Sequence, residues 1–273
     1  MGANPFLTRE FIDAGLNRRE ARWLVEEFSG EDDETIAALR HAVQRRLDGE
    51  PLQYVIGHWP FRSLDLDVDP RVLIPRPETE ELVGVALGEL ARRDVAAPII
   101  VDLGCGSGAI GLAVLFELRV RGVAASLVAI DDSIEALEVA RSNARKHGLL
   151  EVSFVRSSWF DELDASLRGR VDLIVTNPPY VGANEFESLD PVLRHEPRHA
   201  LVASDSRSVP GFFDLETIIT EAPQWLASDG VLVVEHGHLQ RGPAIAAAKV
   251  AGFTHVEDLD DMAGLARILV ARR

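Results

Sequence analysis

Two prolines in succession stop a β-strand, and in this chain they do so directly after a strongly apolar run. Val171-Asp172-Leu173-Ile174-Val175-Thr176 reads as a strand, and Asn177-Pro178-Pro179-Tyr180 follows at once. Proline has no N–H for a sheet ladder and cannot sit in a helix interior, so the strand ends there. It also drives the preceding residue toward an extended backbone, which fixes Asn177 at the strand end. Ligands of open α/β sheets bind at the carboxyl edge of parallel strands. An Asn side chain and carbonyls without local amide partners would form a rigid set of acceptors there, suited to gripping the NH2 of an amide or amino group. A Pro-rich turn closed by a tyrosine is the plainer alternative.

A second stretch fits the same architecture. Ile99-Ile100-Val101-Asp102-Leu103 reads as a buried strand, Gly104-Cys105-Gly106-Ser107-Gly108 as a turn, and Ala109–Val114 as the start of a packed helix. Strand, glycine turn and helix form a nucleotide-binding unit, because glycines admit a ligand close to the backbone. The turn carries no basic residue and no Gly-Lys-Ser/Thr, and Asp102 precedes it, so a cationic, phosphate-free ligand suits it better than a phosphate. The next strand, Leu127–Ile130, ends in Asp131-Asp132. An acid in that place can accept from ribose hydroxyls; Asp131 is preferred, with Asp132 a turn or cap residue. Ser133 is expected to cap a helix that buries Ile134, Leu137, Ala140 and Ala144 and stops at Gly148.

These motifs, with Pro51-Leu52-Gln53-Tyr54-Val55-Ile56-Gly57 and Val72-Leu73-Ile74-Pro75-Arg76-Pro77-Glu78-Thr79-Glu80, resemble the HemK/PrmC family of S-adenosylmethionine-dependent glutamine N5-methyltransferases. The glycine turn is general to methyltransferases, and Asn-Pro-Pro-Tyr is shared with enzymes that methylate adenine amino groups. The Pro-Arg-Pro-Glu-Thr-Glu segment narrows the match. The resemblance implies a Rossmann-like class I methyltransferase domain, α/β in class, behind a small N-terminal helical domain. It implies methyl transfer to the glutamine of the Gly-Gly-Gln loop of class I peptide release factors. Asn177, Pro178, Pro179 and Tyr180 would be catalytic and hold substrate, with Phe61 and Glu78 beside it. Asp102, Gly104, Cys105, Gly106, Gly108, Asp131, Ser158, Trp159, Asn177 and Pro75 would bind the cofactor. Trp159 could stack on the adenine or serve as a core residue. Glu196-Pro197-Arg198 would order the loop after Tyr180. Two departures bear on substrate fit. Family members often carry a Gly-Gly-x-Asp-Gly-Leu-like turn where this chain has residues 203–212, and an Asp before the Arg where it has Ala263-Gly264-Leu265-Ala266-Arg267.

At 273 residues and 47% hydrophobic content the chain can bury a large core. The expected organisation is a helical substrate-recognition domain over 1–50, a hairpin linker over 51–76 and the methyltransferase domain over 77–273. Asn17 with Glu20 resembles a capping box ahead of Trp23, Leu24 and Phe28. Asp33 is the expected cap of a second helix, through Ile36, Leu39, Val43 and Leu47. Leu64, Leu66 and Val68 alternate with Asp65, Asp67 and Asp69 as in a half-buried strand. Toward the C-terminus, Val231–Glu235 reads as the fifth strand, Ala244–Ala251 as a helix and Ile268–Val270 as a last strand. The single cysteine, Cys105, rules out an internal disulfide and suits a reducing cytoplasm. No run is long enough to span a membrane and no signal-peptide pattern opens the chain. The net charge of −16 argues against direct nucleic-acid binding. His236-x-His238 lacks a third ligand, so no metal is expected. The alternatives left open are a ribosomal-protein glutamine methyltransferase, an N6-adenine or other amino-group methyltransferase on RNA or DNA, and a cofactor-binding protein without catalysis.

Overall fold

In the computed structural model, which describes residues 5–30, 32–204 and 209–273, the chain opens with helices and then a hairpin. They are α1 (Pro5–Asp13), α2 (Arg18–Glu27), α3 (Asp33–Leu47) and α4 (Leu52–Ile56), followed by β1 (His58–Phe61) and β2 (Leu64–Asp67). Phe11, Leu24, Leu39, Val43, Leu52 and Val55 bring the four helices into one apolar cluster. Asn17 caps α2 as expected, its side chain accepting from Glu20 N at 2.9 Å. The reciprocal half of the capping box is not made, because the Glu20 carboxylate lies 3.0 Å from Arg46 of α3, where a charge-assisted bond outcompetes one to a backbone amide. The cap of α3 is Asp32, not Asp33: Asp32 accepts from Thr35 N at 2.9 Å, leaving Asp33 inside the first turn, where the helix dipole favours an acid.

The rest is a single sheet with helices on both faces. Its elements are α5 (Thr79–Arg93), β3 (Ile99–Leu103), α6 (Ala109–Val120), β4 (Ser126–Asp131), α7 (Ile134–Lys146), β5 (Val152–Arg156), β6 (Val171–Thr176), α8 (Arg198–Leu201), α9 (Phe213–Glu221), β7 (Leu226–Glu235), α10 (Arg241–Val250), β8 (His255–Asp260) and β9 (Ala266–Arg272). The strand order is β5-β4-β3-β6-β7-β9-β8. The strands from β3 to β7 run parallel, and β9 is antiparallel to both its neighbours. Period-2 alternation divides the core. Ile100, Leu173 and Val231 pack with α5 and α6 on one face; Val101, Ile174 and Leu232 pack with α9 and α10 on the other. The chain winds outward from β3 in both directions, toward β4 and toward β6, and the crevice above such a switch point is the usual ligand site. The expected strand at 231–235 is the C-terminal half of β7, and that at 268–270 is the centre of β9. In α7, Leu137, Ala140 and Ala144 are buried as expected, whereas Ile134 is 53% exposed, because the buried face drifts toward Ala136 and Val139.

The hairpin is held onto this sheet largely by residues of α7. Asn143 of α7, 0% exposed, accepts from Asp67 N at 2.7 Å and donates to Asp67 O at 3.0 Å and to Ser107 O at 2.9 Å. Lys146 adds ion pairs to Asp65 and Asp67 at 2.9 and 2.7 Å, so the acidic residues that alternate along β2 find their cation on α7. Replacing Asn143 with Ala strands three backbone groups, those of Asp67 part-buried and that of Ser107 buried, each costing about 1–3 kcal/mol. Urea unfolding of Asn143→Ala is expected to show a loss of about 3 kcal/mol or more, whereas Lys146→Ala, at partly exposed pairs, should lose less than about 1 kcal/mol.

Candidate active site

The glycine turn after β3 forms one wall of a cavity of about 250 Å³. Gly108, at φ +83°, has no room for a side chain: an added Cβ would lie 2.7 Å from Leu112 Cδ1. Gly104, Gly106, Asp131, Ser158, Trp159 and Asn177 line the cavity, which is closed by Val72 and Leu73 and by His199, Ala200, Val202, Ser204 and Asp214. Asp131, ending β4, accepts from Gly106 N at 2.8 Å through Oδ2 and from Ser133 N at 3.0 Å through Oδ1. Burial pushes its carboxyl above the usual range, against the pull of those two amides. Each oxygen keeps a lone pair for a hydroxyl donor. Asp132 is exposed and also lines the cavity. With Asp131, Asp132 and Asp214 on its walls, the site fits a cationic ligand bearing ribose hydroxyls. Of its bases, Arg71 is already paired with Asp69 at 2.7 Å, which leaves the cavity ill suited to phosphate.

The proline stop places the second half of the site. Thr176, the last residue of β6, donates to Leu103 O at 2.7 Å, tying the ends of β6 and β3 together. Asn177 follows, half-buried, and its Nδ2 donates to Thr79 Oγ1 at 3.2 Å. Thr79 lies 2.7 Å from Glu235 Oε2 at the end of β7. The amide oxygen of Asn177 is thereby turned away from Thr79. Tyr180 lies beside Glu235 and Arg267, and burial pushes its phenol up to about 12, so it stays neutral.

Long-range contacts hold the remaining walls. The buried Glu196 carboxylate accepts from Ile74 N at 3.0 Å and from Arg76 at 2.6 Å, pinning the Val72–Arg76 segment to the loop that follows Tyr180. Asp214, 3% exposed, accepts from Trp159 Nε1 at 3.2 Å and from Ser204 N at 2.6 Å. Gly211, at φ +68°, passes so close to Tyr180 that an added Cβ would meet its carbonyl. Of the divergent segment 203–212, residues Asp205, Ser206, Arg207 and Ser208 lie outside the described residues. The Asp missing from 263–267 is replaced from upstream: Asp261 accepts from Ala263 N and Leu265 N at 3.0 Å and pairs with Arg267 at 3.2 Å.

Not every residue expected at the site reaches the cavity. Gly104, Gly106, Asp131, Ser158, Trp159, Asn177 and Pro179 do. Asp102 lies beneath the turn, where Oδ2 accepts from Gly111 N at 2.8 Å and Oδ1 is buried without a partner; it shapes the start of α6. Cys105 is buried, and burial raises its thiol well above the ordinary value, so it is inert. Phe61, 1% exposed, packs in the core with Leu64 and Leu82 and cannot touch a substrate directly. Pro75 and Pro178 are buried, and Glu78 is exposed at the start of α5; neither these three nor Gly108 and Tyr180 line the cavity. Trp159 is packed partly against the core and also lines the cavity. His236, 0% exposed, has its ring nitrogens 2.7 Å from Asp258 Oδ2 and 2.9 Å from Gly237 O, and among the described residues no cluster of His, Cys, Asp and Glu could hold a metal. Sequence reasoning missed Asp214 and the roles of Thr79 and Glu235, which lie 98 and 156 positions from their partners.

A glycine turn over an acid-ended second strand, facing an Asn-Pro-Pro-Tyr strand end on this sheet order, defines a class I S-adenosylmethionine-dependent methyltransferase. A methyltransferase-domain family model matches residues 96–263, and the PrmC N-terminal domain model matches residues 31–57. The release factor glutamine methyltransferase of Bordetella pertussis is 38% identical over 94% of this chain and 95% of its own length, and that of Aliivibrio fischeri 37% identical over 88% and 80%. The chain belongs to the release factor glutamine methyltransferase family and is an S-adenosylmethionine-dependent enzyme. Among solved structures, the ribosomal protein L11 methylase of Lactobacillus delbrueckii subsp. bulgaricus is similar with a TM-score of 0.52 at 20% identity, covering 76% of this chain and 84% of its own. The N-terminal domain of human METTL16 is similar with a TM-score of 0.56 at 14% identity, covering 88% and 81%. Both share the fold.

The buried Asp102 makes stability depend on pH. Burial pushes its carboxyl from 3.8 up to about 7, so the folded protein holds a proton that the unfolded chain releases. Its contribution to stability is present below 3.8 and is lost as pH rises toward 7. Asp102→Asn is expected to remove that part of the slope, read as a flatter dependence of the unfolding free energy on pH across this window.

Proposed function

We propose that this chain transfers a methyl group from S-adenosylmethionine to the side-chain amide nitrogen of the glutamine in the Gly-Gly-Gln loop of class I peptide release factors. The observation that carries the reading is the fixed Asn177 amide at the cavity wall, with its NH2 engaged by Thr79 and its oxygen turned the other way. When bound, the cofactor supplies a methyl on a positively charged sulfur. Asp131 would accept its ribose hydroxyls, Gly104 and Gly106 would admit its backbone-facing edge, and Trp159 and Ser158 would border its base.

A carboxamide nitrogen is a poor nucleophile because its lone pair is delocalised into the carbonyl. Asn177 Oδ1 and the Pro178 carbonyl would accept both N–H groups of the substrate and hold the nitrogen in line with the methyl. Such positioning by preorganised dipoles is the main source of catalysis available here. Asn177 is no base at neutral pH, so the surplus proton leaves after transfer. Tyr180, neutral and held by its neighbours, would cover the amide plane and exclude water. The helical unit of α1–α4 would grip the protein substrate, and the acidic chain would leave nucleic acid unbound. The expected place of action is the cytoplasm.

The test is methyl transfer from labelled S-adenosylmethionine to purified class I release factor, with the label located by mass spectrometry. Label is expected on the Gly-Gly-Gln glutamine. Asn177→Ala should lower turnover by about 10²- to 10³-fold, far more than it lowers cofactor affinity. Asp131→Ala should do the reverse, weakening cofactor binding by about 1.5–3 kcal/mol for the lost charged hydrogen bonds. Equal loss of cofactor binding in Asn177→Ala would refute its assigned role, and label on a ribosomal protein but not on release factor would redirect the substrate assignment.

A further inference from the structure

An asparagine amide can face a substrate with either end, and only one end serves this chemistry. Turned one way, Oδ1 accepts an N–H of the acceptor amide; turned the other, Nδ2 opposes that N–H. Nothing in Asn177 itself chooses between the two. The choice lies in two residues behind it. Glu235, 1% exposed at the end of β7, stands 2.7 Å from the hydroxyl of Thr79, 4% exposed at the start of α5. That hydroxyl stands 3.2 Å from Asn177 Nδ2.

We propose that Glu235, acting through Thr79, is the positioning residue that holds the Asn177 amide oxygen toward the acceptor nitrogen. This rests on the amide-methylation reading above. A carboxylate only accepts, so the single proton of the Thr79 hydroxyl is committed to Glu235. The hydroxyl can then offer Asn177 only a lone pair, and the NH2 end of the Asn amide must face it. Polarity fixed at one buried acid is handed through one hydroxyl to the catalytic amide, whose NH2 end the same carboxylate also attracts directly. The groups facing Glu235 are Thr79 and Glu78 at the start of α5, Asn177 and Tyr180 after β6, and Arg267 on β9. Burial pushes the Glu235 carboxyl up, while Thr79, Arg267 and Asn177 favour its ionised form. A protonated or amidated residue 235 could donate to Thr79, release the hydroxyl proton toward Asn177 and let the amide flip.

Three near-isosteric variants test the relay. Glu235→Gln and Thr79→Val should each lower kcat on release factor by about a hundredfold, the scale of a misplaced reacting group, with the dissociation constant for S-adenosylmethionine unchanged. Thr79→Ser, which keeps the hydroxyl, should restore kcat. Activity should fall on acidification in the wild type, and the residual activity of Glu235→Gln should lack that acid limb. Wild-type kcat in Glu235→Gln, or equal loss in Thr79→Ser and Thr79→Val, overturns the proposal. A second readout needs no substrate: in 15N NMR the Asn177 side-chain NH2 should be protected from solvent exchange in the wild type and in Thr79→Ser and unprotected in the other two. Protection that follows this pattern in an enzyme inactive on release factor supports the relay while refuting the substrate reading; an unprotected NH2 in the wild type overturns the relay.

Discussion

Parallel pairing of β4, β3 and β6 forces the carboxyl ends of three strands to the same edge, and each end must then dispose of the polar groups that the ladder no longer satisfies. The site is what that disposal produces. Leu103 O is met by the Thr176 hydroxyl, Gly106 N by the Asp131 carboxylate, and Gly111 N by Asp102. Thr176 ties β6 to β3, Asp131 ties the glycine turn to β4, and Asp102 ties β3 to α6. The glycine turn and the Asn-Pro-Pro-Tyr end therefore meet at distances set by strand spacing, which loops alone could not hold.

A chain with a net charge of −16 also buries a set of carboxylates around this edge: Asp102, Asp131, Glu196, Asp214 and Glu235 are all at most 8% exposed. Burial of an acid is costly unless hydrogen bonds replace water. Here backbone amides, a threonine, an indole and Arg76 do so for all but Asp102, whose Oδ1 has no partner and whose carboxyl is pushed up to about 7. Of these, Asp131 and Asp214 line the cavity, with Asp132 beside them, and give it a negative wall suited to a cationic ligand.

What could be read in the sequence was local. The glycine turn, the acid at the end of β4 and the strand stopped by proline each occupy fewer than ten consecutive residues, and each carries its own physical signature of spacing or forbidden backbone. The parallel strands were legible as apolar runs for the same reason. Strand β8, whose burial pattern is mixed and whose sequence His255-Val256-Glu257-Asp258-Leu259-Asp260 is half charged, carried no such signal, and α4 is too short at five residues to show periodicity. Phe61 shows the limit of reasoning from position: its aromatic ring is needed by the core, and burial alone decides that. Asp214 and Glu235 are ordinary residues, and Thr79 only part of a longer motif, until the fold brings their partners from 55 to 156 positions away. Cap choice at Asp32 over Asp33 was a one-residue matter of backbone geometry between two chemically equal candidates.

The Asn143 clamp gives the molecule a mechanical property. One side chain holds the hairpin through Asp67 and the glycine turn through Ser107, and the hairpin is the chain's route back to the helical unit. The helices are thus no loose arm on a string. A pull on them is transmitted through the Asn143 amide, together with the Lys146 and Arg62 ion pairs and the Tyr54 hydroxyl, to the glycine turn that borders the cavity, so the helical unit and the cavity share a common strut.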